Sequence, residues 1–422
     1  MYALILIILC IGIYSSLGFS LIKKRTTIFA CLYIIYIWIY DWMFINLSYD
    51  VSPIIVNILK LGNELLVFLA FLTILISKKK QSIAKSSDRT IWIFIIFPML
   101  YAILISLVNH VGIESIFQGI RLFFSPIIYA FIFYKAGLFK DTSVSQLKVV
   151  FVFILIASLL YSIWQDITYN GELSTVWFYD YFIKAKDLDK VEFDFVRNGL
   201  LRTTSVFVSP IISSMFFAST ALFLFYIEQK SNLLKIIYLF LGAWGVYLSR
   251  TRIGLIYIFL FFILWIIINR VNFKYTILSI GVAIIITLIS LIYGITDDLS
   301  ALGRILQYQQ FINIFRIFGY GFEDEYLIKF DSYYISLFIY IGIFAIFILY
   351  GIIKLSKGIF LESKGFNNRQ IRFFLIFSSI NSLCMVYEYA FQYIAGNYIY
   401  KLTFLFLFIG LSYKESAKQK II

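Results

Sequence analysis

Residues 2–22 read YALILIILCIGIYSSLGFSLI, a stretch that contains no charged residue. A bilayer core about 30 Å thick is crossed by about 20 apolar residues in a helix, so this stretch is long enough to span a membrane. No basic region precedes it and no small-residue cleavage site follows it, which favours a retained helix over a signal peptide. We therefore predict that the chain enters a membrane with its first helix.

The rest of the chain has the same character. Of its 422 residues, 62% are hydrophobic and 14% are charged, with a mean hydropathy of +0.91, whereas soluble domains are about 25% charged. The sequence therefore predicts an all-α polytopic integral membrane protein in which residues 1–422 form a single transmembrane domain. About thirteen apolar runs are long enough to span, near 2–22, 28–47, 54–76, 90–108, 117–134, 149–168, 206–227, 236–249, 253–268, 275–293, 332–353, 373–389 and 398–413.

Basic residues predict the orientation of these spans. Lys and Arg cluster in every second loop, as the positive-inside rule requires of cytoplasmic loops. Thirteen spans then place the N-terminus outside and the C-terminus in the cytoplasm. The net charge of +13 is mostly this orienting signal and does not imply nucleic acid binding. Two long external loops result, 169–205 and 294–330, and loops carry a disproportionate share of function.

Cysteine and histidine usage argues against metal chemistry. The three cysteines, Cys10, Cys31 and Cys384, lie inside apolar runs, so we expect buried thiols and no disulfide framework. His110 is the only histidine, which excludes a site with several histidine ligands within one chain. We expect His110 to lie at the membrane interface.

Arginine is concentrated on the predicted external side. Any positive charge orients a helix, but arginine also binds phosphate oxygens in pairs and tolerates partial desolvation. These side chains could instead reach lipid head groups or pair with nearby carboxylates. Because several stand within or beside apolar sequence, we predict a pocket for a phosphorylated ligand that approaches from the outer leaflet. Seven of the twelve arginines belong to this set: Arg121, Arg197, Arg202, Arg250, Arg252, Arg304 and Arg316.

Arg304 illustrates the placement. The sequence predicts an interfacial helix over 302–318, with glutamine and asparagine side chains on one half. Arg304 shares the other half with Tyr308, Phe311 and Phe315. A cation on an apolar face requires an anionic partner, from the protein or from a substrate.

Four motifs between residues 200 and 345 carry a family resemblance. They are RTTSVFVSP at 202–210, SRTRIG at 249–254, the stretch 300–308 around Arg304, and GYG at 319–321 followed by DSYY at 331–334 and by Gly342. Together they resemble the O-antigen polymerase and ligase superfamily; the first half of the chain matches mainly in helix count and at Arg121. Asp331 stands where ligases typically carry a histidine, which favours a capsular or O-antigen polymerase (Wzy-type) over a ligase.

The resemblance implies a fold and an activity. The fold would be similar to that of the metal-independent, lipid-dependent glycosyltransferases (GT-C-like), which use no metal and no other cofactor. The substrate would be an undecaprenyl-diphosphate-linked oligosaccharide, polymerised at the outer face of the bacterial plasma (inner) membrane. A flippase and a chain-length regulator would be its partners.

Roles for individual residues follow as hypotheses. The guanidinium groups of Arg202, Arg252 and Arg304 would hold the diphosphate, with Arg121 and Arg250 assisting. A carboxylate would accept the proton of the attacking sugar hydroxyl. Asp331 is the first choice, although it also suits the N-cap of a helix. Further candidates are Glu323, Asp324 and Glu325 for the carboxylate, and Arg316, Glu323 and Tyr333 for substrate contacts.

Two functions of other classes remain open at this point. A lipid-linked-oligosaccharide flippase would also handle a diphosphate, and Asn57, Lys60 and Glu64 line one side of the third predicted span. Lys60 and Glu64 are four residues apart, so a structural ion pair explains them as well. A scaffold of an envelope complex would explain the aromatic residues but not the external arginines.

Overall fold

The computed structural model describes residues 2–76, 92–125, 128, 129, 132, 143–171, 195–197, 199–207, 209–228, 231–270, 299–323 and 333–351. Most of them are helical, and six of the helices they form are long and apolar enough to cross a membrane. The chain is therefore an all-α, membrane-embedded protein. The predicted spans 275–293, 373–389 and 398–413 and residues 172–194 of the first predicted loop lie outside the described residues. The six candidate spans are Tyr2–Ile22, Thr26–Asp50, Pro53–Thr73, Ser145–Thr168, Pro210–Ile227 and Tyr334–Gly351.

Most of the elements overlap predicted apolar runs, but the helix Ile113–Phe123 begins before the run 117–134 and ends within it, and the helix Leu299–Ile314 lies outside the runs. A π-helical turn, Trp92–Ile96, precedes α5, and a 3-10 turn, Gly342–Phe344, follows α12. Strands β1 (Val196–Arg197) and β2 (Leu200–Leu201) form a two-residue antiparallel pair. The helices in chain order are α1 (Tyr2–Ile22), α2 (Thr26–Asp50), α3 (Pro53–Lys60), α4 (Gly62–Ile76), α5 (Phe97–Val108), α6 (Ile113–Phe123), α7 (Val144–Thr168), α8 (Pro210–Ile227), α9 (Asn232–Leu248), α10 (Arg252–Arg270), α11 (Leu299–Ile314) and α12 (Tyr333–Ile341).

The chain divides into two compact units. The first unit comprises residues 1–79, 130–259 and 404–422, and the second comprises 80–129 and 260–403. In the first unit α8 is buried along almost its whole length against α7 and α9, while α2 packs on α1 and α7. In the second unit α12 packs on α5 and α11.

An aromatic column forms the core of the N-terminal part of the first unit. Its rings stand three or four residues apart on α2, the spacing that places side chains on one helix face. The hydroxyl of Tyr36, a member of the column, lies 2.8 Å from the hydroxyl of Tyr14 on α1. Ring centroids of successive members lie 4.4–6.1 Å apart: Phe29, Tyr33, Tyr36, Tyr40 and Phe44.

Side-chain contacts fix the directions of three helices in the first unit. At one end, Gln165 near the end of α7 bonds to Thr204, just before α8. At the other end, Lys148 near the start of α7 pairs with Glu228, just after α8. These two contacts make α7 and α8 antiparallel. Because α9 follows α8 through a short connection and ends beside the start of α8, it runs parallel to α7.

One predicted boundary was wrong. Helix α11 ends at Ile314, so Arg316 and Phe318 lie beyond it and the predicted helix over 302–318 is too long. From Ile317 on, the backbone instead bonds to α12 and to the first residue beyond its break, which removes it from the helical ladder. Of the two arginines in the motif at 249–254, Arg250 lies in the turn before α10 and Arg252 is the first residue of that helix.

Candidate functional site

Four segments of the first unit meet at one end of its helices, and we call this place the arginine corner. It consists of the last turn of α7, the segment 201–207, the first turn of α8, and the turn 249–251 between α9 and α10. Every residue of 201–207 is buried. The predicted external loop 169–205 therefore ends inside the protein, because its last residues pack against helices rather than face water.

Contacts of the Ser249 side chain stabilise the turn 249–251. The hydroxyl of Ser249 donates to the carbonyl of Gly245 at 2.9 Å and lies 3.3 Å from the hydroxyl of Ser213. Arg250 takes a left-handed backbone conformation with φ 47°, which costs about 1–3 kcal/mol at a residue other than glycine. The surrounding contacts must offset that cost.

Both terminal nitrogens of the Arg250 guanidinium group donate hydrogen bonds. One terminal nitrogen donates to Oδ1 of Asp166 at 3.0 Å, and the other donates to the carbonyl oxygen of Leu201. The side chains of Arg250 and Asp166 are 17% and 30% exposed, so water screens the pair only in part. Arg250 thereby ties its turn to α7 and to the segment 201–207.

Arg202 lies in the same corner and is 8% exposed. Its backbone N–H donates to the carbonyl of Phe195 at 2.7 Å, and the next N–H, of Thr203, donates to the carbonyl of Leu248 at 3.1 Å. These bonds bring Arg202 to the end of α9, next to the turn that carries Arg250. A buried arginine is suited to phosphate because its planar fork matches a pair of phosphate oxygens and is more weakly hydrated than an ammonium group.

Three enclosed hydroxyl groups lie in the corner or directly beside it. The side-chain oxygens of Thr203, Ser214 and Thr251 have no hydrogen-bond partner among the residues that the structure describes. An unsatisfied buried group costs about 1–3 kcal/mol, and proteins normally satisfy such groups with water or a ligand when no protein partner is present. Ser214 lies near the start of α8 and Thr251 directly precedes α10. The N-terminal ends of helices carry positive partial charge, which favours an anion. At α8 this is the contribution that remains, because Pro210 has no N–H and the N–H of Ile211 donates to Ser209.

The second unit contains an inserted segment, residues 316–323, which includes the GYG motif. The backbone N–H groups of Tyr320 and Gly321 donate to carbonyl oxygens of α12, each at 2.9 Å. At Gly342, with φ 57°, the α12 helix breaks, and the first N–H beyond that residue donates back to the segment. Because Tyr334–Gly351 is a candidate span, this irregular backbone lies within apolar sequence, where its polar groups must be satisfied by the protein.

Helix α5 completes the bonding of the inserted segment. Tyr101 and Asn109 donate to the carbonyls of residues 318 and 320, and Ser106 accepts from the N–H of residue 322, each at 2.8 Å. The sequence interpretation missed these three side chains. The sequence does show them, as polar residues spaced five and three apart, two on an otherwise apolar helix and the third directly after it. The GYG motif is thus part of a bonded insertion, and not a simple turn.

Three predicted site residues have described side chains in the second unit. Arg316 begins the inserted segment, and its guanidinium group lies 4.0 Å from the centroid of the Tyr320 ring. Glu323 ends the segment and is half-buried. Arg121 is half-buried in the last turn of α6. Exposed His110 lies at the end of α5 with φ 56°.

The other predicted site residues are described less fully. Arg202 and Arg250 meet in the arginine corner, and the backbone of Arg252 starts the adjoining helix. Gln165 and Asp166 were missed, although two adjacent polar residues at the end of an apolar helix are a usable signal. Arg197, Arg252, Arg304 and Tyr333 are described by backbone alone, and Asp324, Glu325 and Asp331 lie outside the described residues.

The described residues contain no cluster of three His, Cys, Asp or Glu side chains close enough to hold a metal ion. Compared with models of known protein families and with curated proteins, the chain matches none. The functional interpretation therefore depends on the arginine corner and the inserted segment.

Proposed function

We propose that the chain polymerises undecaprenyl-diphosphate-linked oligosaccharide repeat units into O-antigen or capsular polysaccharide, at the outer face of the bacterial plasma membrane. The observation that supports this proposal is the arginine corner. Arg202 and Arg250 gather there with three enclosed hydroxyl groups and the N-terminal ends of two helices. The motifs at 202–210 and 249–254, which resemble the polymerase family, form this corner and supply the substrate class.

The corner suits a diphosphate leaving group. Groups aimed at developing negative charge stabilise it without reorganising during the reaction. Each hydrogen bond to a charged group contributes about 1.5–3 kcal/mol, so two or three suffice for a rate effect of several orders of magnitude. We assign this role to Arg202 and Arg252. Arg250 assists by shaping the corner, because two of its donors already bind Asp166 and Leu201.

The transfer step is a substitution at the anomeric carbon of the growing glycan. The hydroxyl oxygen of the next lipid-linked unit forms the new glycosidic bond while the bond to the lipid diphosphate breaks. The diphosphate leaves with the electron pair, and a carboxylate accepts the hydroxyl proton, which contributes about 10²–10⁴-fold. We assign the carboxylate role to Asp331, with Glu323 as the alternative, and a diphosphate contact to Arg304.

Complementation of a deletion strain tests the proposal. Arg202→Lys, Arg252→Lys and Arg304→Ala should abolish long polysaccharide while single lipid-linked repeats remain detectable. Lysine cannot bind two oxygens in a fixed geometry, and alanine has no charge and no donor. Arg25→Lys is the matched control, since Arg25 lies between α1 and α2 and contacts the ring of Phe19. Normal chain lengths in the three variants would contradict the proposed role of these arginines. Product attached to an acceptor other than lipid diphosphate would instead indicate a ligase.

A flippase is the second candidate, and one observation favours it. Asp41 of α2 is 4% exposed, and Glu64 of α4 is also set within a candidate span. Ionisable residues inside a membrane often mark transport pathways. Purified protein in vesicles should then move labelled lipid-linked oligosaccharide across the bilayer without joining units. Movement that persists in Arg202→Lys but stops in Asp41→Asn would favour the flippase over the polymerase.

A further inference from the structure

Two consecutive residues at the end of α7 bind both arginine-bearing parts of the corner. Gln165 bonds to the segment 201–207, and Asp166 bonds to Arg250 in the turn 249–251. Gln165 is 2% exposed. Neither residue belongs to the motifs that resemble the polymerase family.

The side-chain amide of Gln165 uses all of its hydrogen-bonding capacity on two residues. Its oxygen accepts from the backbone N–H groups of Thr204 at 3.1 Å and Ser205 at 2.9 Å. Its nitrogen donates to the hydroxyl of Thr204 at 3.3 Å and to the carbonyl of Ser205 at 3.2 Å. An amide supplies two donors and two acceptor sites, which is the set required here. A carboxylate would place acceptors where the segment also presents acceptors.

These bonds immobilise the backbone around Arg202. With Gln165 in place, the N–H groups of the four successive residues 202–205 are all bonded. Their partners are Phe195, just before β1, and residues of α9 and α7. Ser205 is held in a left-handed conformation, φ 53°, and its hydroxyl donates to the carbonyl of Ser158, also on α7, at 3.0 Å. A side chain that extends from a fixed backbone loses less freedom when it binds a ligand.

Asp166 acts on the second arginine. Its carboxylate accepts from one terminal nitrogen of the Arg250 guanidinium group, and the carbonyl of Leu201 accepts from the other. Because both terminal nitrogens of the guanidinium group are engaged, this arrangement fixes the plane of the fork. The same contacts join the segment 201–207 to the turn 249–251.

We propose that Gln165 and Asp166 are positioning residues: Gln165 preorganises Arg202 to bind a diphosphate group, and Asp166 preorganises Arg250, which shapes the same corner. This inference rests on the proposed function for the identity of the ligand. The arrangement of the corner that it describes does not require the ligand to be present.

The first experiment uses purified full-length protein in lipid nanodiscs and inorganic diphosphate as the probe, measured by calorimetry. Gln165→Glu and Asp166→Asn should each weaken diphosphate binding about tenfold or more, because the loss of one such hydrogen bond corresponds to about a tenfold change in affinity. Trp38→Phe is the control. Trp38 donates to the hydroxyl of Ser158 on the same helix at 2.7 Å, but it does not hold the segment. It should bind diphosphate as the wild type does.

The second experiment needs no ligand. Thr203 is fully buried, so a cysteine placed there by Thr203→Cys should be shielded from a polar maleimide, in a background whose native cysteines are replaced. Adding Gln165→Leu should increase the labelling rate about tenfold, and adding Trp38→Phe should not. Wild-type diphosphate affinity in Gln165→Glu, or continued shielding in the Gln165→Leu background, overturns the proposal for Gln165.

A double-mutant cycle decides the role of Asp166. If Asp166 acts through Arg250, Asp166→Asn should weaken diphosphate binding in the wild type and cause no further loss in an Arg250→Ala background. Additive losses overturn that role. Should diphosphate fail to bind even the wild type, the ligand of the proposed function is wrong and the role of Asp166 falls with it, while the labelling experiment still decides whether Gln165 holds the corner.

Discussion

Single residues in the arginine corner show why the identity of a side chain matters beyond its charge. Arg250 occupies a backbone conformation that most residues avoid, and its fork bridges a carboxylate and a carbonyl that lie on different segments. A lysine ammonium is a point charge without a planar fork. The corner therefore depends on guanidinium geometry even at the arginine that we do not assign to the leaving group.

The close packing around Gly254 leads to a prediction about stability, also at the scale of a single residue. A methyl group at this position, in the first turn of α10, would overlap the hydroxyl of Ser214 and approach the methyl groups of Val246 to 2.9 Å. We expect Gly254→Ala to destabilise the protein by about 1–3 kcal/mol through overpacking, measured by thermal unfolding in detergent.

Gly12→Ala is the control for Gly254→Ala. Gly12 lies within α1, and a methyl group there would meet no atom within 4 Å. Alanine is favoured over glycine in helices by about 1 kcal/mol, so this variant should be as stable as the wild type or more stable. Equal melting temperatures for both variants would show that α8, α9 and α10 are not in close contact at Ser214.

At the scale of elements, the inserted segment 316–323 is defined by its bonds and not by local preference. It joins α5 and α12 through backbone pairs and three side chains, and it accompanies the break at Gly342. Two of its residues, Gly319 and Gly321, have positive φ angles and lie close to neighbouring backbone. The positive φ angles and the close backbone contacts explain why both of these positions in the GYG motif are glycine.

A comparison of Gly321→Ala with Gly199→Ala separates the cost of a positive φ angle from the cost of a steric clash. Gly321 has φ 71°, and a methyl group there would lie 2.7 Å from the backbone of Ser106. Gly199 has nearly the same angle, φ 73°, with no atom within 4 Å of that methyl position. Both alanine variants should lose about 1 kcal/mol to backbone strain, but Gly321→Ala should lose about 1–3 kcal/mol more from the clash. Unfolding measurements that give equal losses would show that α5 does not hold the segment.

At the scale of the whole molecule, the sequence predicted the parts of the fold that the bilayer dictates. Span lengths follow from membrane thickness, so α1, α2, α7 and α8 lie close to the predicted apolar runs. The break in α12 and the end of α11 were not predictable in this way, because both depend on bonds between backbone groups that are distant in sequence.

The same limit applies to the functional site. Arg202 and Arg250 were found because arginine beside apolar sequence is unusual and needs a chemical explanation. Gln165 was missed because its partners lie 39 and 40 residues away, across an external loop that hides their proximity. A glutamine at the end of an apolar helix looks like an ordinary interfacial residue until the segment that it binds is placed beside it.

Membrane orientation is the prediction on which the external location of the substrate depends. The helix directions within the first unit put residue 170, after α7, at the end of the unit that holds the arginine corner, and put residue 232, at the start of α9, at the opposite end. The positive-inside rule assigns the first end to the exterior. In intact cells, an impermeant maleimide should label a cysteine introduced by Asn170→Cys but not one introduced by Asn232→Cys or Lys24→Cys until the membrane is permeabilised. All three positions are exposed, so a failure to label cannot be ascribed to burial. The reverse pattern would place Arg202 and Arg250 on the cytoplasmic side, where a polymerase acting at the outer face could not use them.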